Sequence, residues 1–244
     1  MKAASKLNIL AFSSSRAGSS SYLEMAAPHI QEMLGTKSIK IAFIPYAAVV
    51  NDYESYAEMV RKGLNAPHYN IQIAYPESAA EVITEADAIM VGGGNTFKLL
   101  HHLYAYKLIE LIRGRVKNGV PYIGWSAGAN LTGQSICTTN DMPIIHPPSF
   151  NSFGLFPFQI NPHYINYTIP GHNGETRDQR LTEFMHLNKG LNVVCLPEGT
   201  AVISKEGETK YAGNEPGVVF MNEAGKEIQR RHVADGESLN FLLQ

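Results

Sequence analysis

Five short runs of apolar and β-branched residues recur through the first half of the chain: LNILAF (7–12), IKIAFI (39–44), NIQIAY (70–75), AIMVG (88–92) and VPYIG (120–124). Longer segments of helical character separate them: SYLEMAAPHIQEML (21–34), YESYAEMVRKGL (53–64), SAAEVITEA (78–86) and TFKLLHHLYAYKLIELIRGRVKN (96–118). Strands that alternate with helix-length connections pair in parallel, because a parallel pair needs a crossover rather than a hairpin. The sequence therefore predicts an α/β fold. Within 96–118, Phe97, Leu99, Leu100, Leu103, Leu108, Ile109 and Ile112 fall mostly three or four apart, the stripe of one long helix packed on a sheet. Pro28 predicts a kink or break in the first helix.

The second half reads differently. A loop-rich stretch from Thr138 to Gly154 leads to FPFQI, then to a polar segment containing GHNGETRDQR and an amphipathic helix near Thr176 to Leu187, then to LNVVCL (191–196). The tail alternates in strand fashion around KEGE and NEAGK, which predicts antiparallel hairpins. No repeat or low-complexity linker divides the chain, so residues 1–244 read as a single α/β domain.

Composition narrows the class of function. A net charge of −2, with 17% charged and 44% hydrophobic residues, describes an ordinary globular protein with no polyelectrolyte character. No Lys/Arg run or aromatic-basic stripe points to nucleic acid. The apolar stretch Leu7 to Phe12 is too short for a signal-peptide core or a membrane span, and the other apolar runs are broken by Pro, Gly or charge. Cys137 and Cys195 are far apart and form no CxxC or Cys/His ligand set. The expectation is a cytoplasmic protein, monomer or homodimer, with no membrane partner, no metal and no cofactor.

Chemistry is concentrated in GWSAGAN (124–130). Gly124, Ser126 and Gly128 satisfy G-x-S-x-G, with a strand before and a helix-capable segment after, the context of a nucleophile elbow. Such a turn lifts the serine hydroxyl above the sheet and aims the next amide, that of Ala127, at a developing oxyanion. The competing reading is a serine that caps a helix. A second glycine cluster, VGGGNTF (91–97), also joins a strand to a helix and belongs at the same sheet edge, where Gly93 or Gly94 could supply a second oxyanion donor.

A serine nucleophile needs a base and an acid that orients the base. Of nine histidines, His146, His163 and His172 lie in loops, and His163 is favoured because FPFQI delivers it to a strand end. The acid candidates are Asp141 in TTNDMPI and Glu198 in CLPEG.

Together, GWSAGANL, TTNDMPI, INPHY, GHNGETRDQR, LPEGTAV and VGGGNTF resemble peptidase E, the α-aspartyl dipeptidases, in the same order over nearly the whole chain. The resemblance implies a three-layer, mostly parallel sheet like that of class I glutamine amidotransferases, with C-terminal β-hairpins. It also implies a serine-type dipeptidase acting on small Asp-Xaa substrates. By it, Ser126 is the nucleophile, His163 the base, either Glu198 or Asp141 the third member, and Arg177 the partner of the substrate's aspartyl carboxylate. A guanidinium suits that task because it pairs with a carboxylate through two parallel hydrogen bonds. The rivals are an esterase or cyanophycinase-like enzyme acting on β-aspartyl bonds, a non-catalytic binder, and metal-assisted hydrolysis.

Overall fold

In the computed structural model, which describes residues 7–50, 52–165, 167, 171, 173–223 and 225–243, the apolar runs of the first half become β1 (Ile9–Phe12), β2 (Ile39–Ile44), β3 (Tyr69–Ile73), β4 (Ala88–Val91) and β5 (Tyr122–Trp125). All five pair in parallel, in the order β3-β2-β4-β5-β1. β1, β4 and β5 are buried along their whole length, as strands covered on both faces must be.

Flanking helices are α1 (Ala27–Leu34), α2 (Tyr53–Leu64), α3 (Ala79–Glu85), α4 (Thr96–Ala105), α5 (Ile109–Lys117), the single turn α6 (Ala127–Asn130) and α7 (Arg177–Leu187). Two differ from expectation. Pro28 does not kink a helix but sits in the first turn of α1, where its missing N–H costs no intrahelical hydrogen bond; residues 22–26 are turn. The stretch 96–118 divides into α4 and α5. Lys107 takes a left-handed φ of 57°, its amide donates to the Tyr104 carbonyl at 3.0 Å, and the Leu108 amide donates to Leu103 at 2.8 Å. That pair of bonds is a Schellman ending, made without the glycine that usually announces one.

In the second half lie β6 (Gln159–Asn161), β7 (Val193–Cys195), the hairpin β8 (Ala201–Lys205) and β9 (Glu208–Ala212), and the hairpin β10 (Gly217–Met221) and β11 (Gln229–Val233). Both hairpins form, in different sheets. β8 pairs antiparallel with β1 and extends the main sheet to seven strands. β10 and β11 join β7 and β6 in a four-stranded sheet of order β11-β10-β7-β6. α7 covers part of this smaller sheet through a cluster of Leu181, Met185, Val193, Cys195, Val218, Phe220 and Tyr164. Among the described residues, no helix is long and apolar enough to cross a membrane.

The parallel strands carry the C-terminal ends of β1, β4 and β5 to one edge, and the candidate site is built there. In the β1–β5 register Phe12 is opposite Trp125, which places Ser13 beside Ser126.

Candidate active site

Ser126 is the one residue between β5 and α6, with φ 53° and ψ −113°. A non-glycine residue there costs of the order of ~1–3 kcal/mol and persists only where the surroundings fix it. The Ser126 amide donates to the Phe12 carbonyl at 3.0 Å, and its side chain makes no cap bond to α6, so the hydroxyl is left for another partner. Gly128 is required by close approach: a Cβ there would lie 2.3 Å from the Val91 carbonyl oxygen.

The partner is His163. β6 ends at Asn161, and the chain turns through Pro162 into His163, which also has a left-handed φ of 52°. Its Nε2 lies 2.8 Å from Ser126 Oγ and its Nδ1 3.2 Å from Glu198 Oε1. Glu198 follows β7, in the turn that enters β8. With the carboxylate side chain 56% exposed, this contact does little for stability, and its effect is to fix the direction of the ring.

Ser13, buried at the end of β1, fixes both of these segments. It accepts from the His163 amide at 2.8 Å and donates its own proton to the Leu196 carbonyl at 2.7 Å. Ser14 Oγ accepts from the Gly199 amide at 3.2 Å, which holds the Glu198 turn from its other side.

Gly93 and Gly94 follow β4 directly across from this group. A Cβ on Gly93 would meet Ser126 Cβ at 2.9 Å, so the glycine loop touches the serine turn. Gly92 and Asn95 donate their amides to Ile44 and Ala47, whereas among the described residues the amides of Gly93 and Gly94 have no acceptor. The Ala127 amide, at the first position of α6, has none within the helix either. Tyr56 Oη donates to the Gly93 carbonyl at 2.9 Å and accepts from Trp125 Nε1 at 3.2 Å, bracing the loop from behind. A cavity of about 290 Å³ opens here, lined by Ser15, Tyr22, Tyr56, Met59 and Trp125 around Gly93, Gly94, Ser126 and His163.

The other expected residues lie at varying distances from the serine. Asp141 accepts from the Thr96 amide at 2.7 Å and from Thr96 Oγ1 at 2.6 Å, which ties the 138–142 loop to the N-terminus of α4, just beyond the glycine loop. The structure thus brings Glu198, and not Asp141, to the imidazole. Arg177 opens α7, half-buried near Tyr164 and Cys195 and outside the walls of the cavity. Burial, then the like charge of Arg180, hold its pKa below the usual guanidinium value, and among the described residues no carboxylate pairs with it. His146 packs its ring at a tilt against Phe150, and its carbonyl faces His101 Nδ1. His172 lies outside the described residues. Among the described residues, no three His, Cys, Asp or Glu side chains converge to hold a metal ion.

The family model of peptidase family S51 matches residues 9–212, a span that contains every residue of this hydrogen-bonded chain. The chain belongs to peptidase family S51. Peptidase E of a Nostoc species is 48% identical over 224 residues, covering 91% of this chain and 91% of that protein. Peptidase E of Shewanella baltica is 49% identical over 239 residues, covering 98% of each. A solved peptidase from an acI-B1 Actinobacterium superposes with a TM-score of 0.64 at 19% identity, covering 96% of this chain and 98% of the other, and so shares the fold.

In this S51 peptidase, sequence reasoning missed Ser13, Ser14 and Tyr56. The signal for the serines was present, since SSS (13–15) directly follows a central parallel strand and so falls at the edge where such proteins build their sites. Tyr56, a polar interruption on the inner side of α2, gave no comparable signal.

Proposed function

We propose that this peptidase hydrolyses dipeptides with an N-terminal aspartate through an acyl-enzyme on Ser126. The observation that carries the reading is the chain from Ser126 Oγ to His163 Nε2 at 2.8 Å and from His163 Nδ1 to Glu198 at 3.2 Å.

His163 Nε2 takes the hydroxyl proton as Ser126 Oγ attacks the scissile carbonyl carbon, and the carbonyl oxygen becomes an oxyanion received by the amides of Ala127 and of Gly93 or Gly94. Collapse of the tetrahedral species breaks the C–N bond, and His163 passes its proton to the departing amine. A water then attacks the aspartyl ester, giving its proton to His163, which returns it to Ser126 Oγ as aspartate leaves. Glu198 holds the ring tautomer that keeps Nε2 free to accept and stabilises the imidazolium between steps. Asp141 supports the glycine loop through Thr96. The chemistry asks nothing of a metal or organic cofactor, and the substrate is a small molecule.

Arg177 supplies the acid preference in this reading: an uncommitted, half-buried guanidinium gains most from a carboxylate that brings no competing partner. The test compares kcat/KM for Asp-Leu, β-Asp-Leu and Ala-Leu in the wild type and in Arg177→Ala. The α-aspartyl substrate should be preferred, and the variant should lose that preference while keeping its rate on Ala-Leu. Equal losses on both substrates, or a wild-type preference for β-Asp-Leu, would contradict the assignment.

A further inference from the structure

A second arginine, Arg16, lies beside the cavity wall, next to Ser15 in sequence and over the ring of Tyr22. The segment after β1 passes along the cavity wall, to which Ser15 contributes directly. Its backbone is closely held. Ser14 Oγ donates to the Arg16 carbonyl at 2.6 Å, the Ala17 amide donates to Ser20 Oγ at 2.8 Å, and the Leu23 amide donates to the Ser15 carbonyl at 2.7 Å. These bonds fix where the Arg16 side chain starts. Its guanidinium carbon lies 5.7 Å from the ring centroid of Tyr22, itself a wall of the cavity. Arg16 is exposed, and among the described residues no carboxylate pairs with it. An arginine over an aromatic face is oriented by the ring while its N–H edge stays open to an anion.

Neither guanidinium lines the cavity itself, and the two uncommitted cations come from different elements, one from the loop after β1 and the other from α7. A dipeptide Asp-Xaa carries two carboxylates, one on the aspartyl side chain and one at the C-terminus of the leaving residue. With Arg177 assigned to the first, we propose that Arg16 is a specificity-determining residue that pairs with the second, the free α-carboxylate of the leaving residue, while Tyr22, Tyr56 and Met59 contact that residue's side chain. The inference rests on the dipeptidase reading above and extends it. A longer peptide or a C-terminal amide carries no anion at that position, so Arg16 confines cleavage to dipeptides.

The experiment measures kcat and KM for Asp-Leu and for its C-terminal amide with wild type, Arg16→Ala and Arg16→Lys. Wild type should favour the free acid by about 10- to 100-fold, the range for a hydrogen bond to a charged group. Arg16→Ala should lose most of that ratio through a raised KM on Asp-Leu, with the amide unaffected, and Arg16→Lys should keep part of it. Thermal midpoints of the variants should match wild type, because the side chain is exposed. An unchanged acid-to-amide ratio in Arg16→Ala, or equal losses on both substrates, overturns the role of Arg16 and leaves the dipeptidase reading standing. If wild type instead prefers Ala-Leu or β-Asp-Leu, the aspartyl reading fails, and the acid-to-amide comparison on that preferred dipeptide decides Arg16 by the same criterion. A wild type that cleaves no dipeptide overturns both.

Discussion

The His163 amide donates to Ser13 Oγ at 2.8 Å, so the residue after β1 fixes the backbone of the imidazole opposite Ser126. Ser13 is fully buried and its own proton goes to the Leu196 carbonyl. Ser13→Ala therefore leaves the His163 amide without its acceptor, at a cost of about 1–3 kcal/mol, while the Leu196 carbonyl keeps the Tyr164 amide at 2.9 Å. The expected result is a lowered urea midpoint together with a kcat loss of about tenfold or more, since the ring is no longer held in proton-transfer geometry. A variant with wild-type kcat would show that His163 is placed by other contacts.

Glu198 and Asp141 are separable. Glu198→Gln should lower kcat by about 10²- to 10⁴-fold with little change in stability, because it removes the charge that orients and balances the imidazole. Asp141→Ala should cost about 1 kcal/mol of stability, as loss of a helix N-terminal acceptor does, and should affect kcat by less than about tenfold. Steady-state kinetics and thermal unfolding on both variants check this, and the reverse order of kcat losses would transfer the orienting role to Asp141.

Tyr56→Phe removes only the hydroxyl that donates to the Gly93 carbonyl. The glycine loop then loses the brace that aims its amides, so kcat should fall about 10-fold or more while KM changes little, the pattern for an interaction realised in the transition state. A rise in KM at constant kcat would place Tyr56 in ground-state binding instead.

Much of this was legible in the sequence because local signals agreed with the global arrangement. The alternation of strand and helix periods fixes a parallel sheet, and G-x-S-x-G after an apolar run specifies Ser126 and its turn. His163 and Glu198 each follow a strand, so both reach a sheet edge. The remainder depends on contacts distant in sequence. Nothing local at Asp141 separates a carboxylate facing an imidazole from one facing the amide of Thr96, forty-five positions away. The break between α4 and α5 was hidden because Lys107, an ordinary helix former, takes the left-handed position that glycine usually marks. The hairpins were readable from alternation, but strand pairing by hydrogen bonds carries no local label for which sheet a hairpin joins.

His102 gives a pH signature unrelated to the site. It lies half-buried on α4, with Nδ1 2.8 Å from the Lys98 carbonyl. Burial holds its pKa below the usual histidine value, aided by the charges of Lys98 and His101 and opposed by the Lys98 carbonyl bond. The unfolded chain, with an imidazole near ~6.5, binds the proton first as pH falls. The folded state therefore loses stability as pH drops from that value to the lower folded pKa, and gains nothing above it. Urea midpoints at about pH 7.5 and about pH 5.5 should fall more for wild type than for His102→Gln. Parallel falls would remove His102 from the acid response.

The central claim is that Ser126 is the nucleophile, and kcat/KM of Ser126→Ala on Asp-Leu tests it most directly. The account predicts a loss of about 10³-fold or more with an unchanged thermal midpoint, since the hydroxyl is needed for acyl transfer and the turn is held by backbone contacts. A folded Ser126→Ala enzyme that keeps activity within about tenfold of wild type would contradict it.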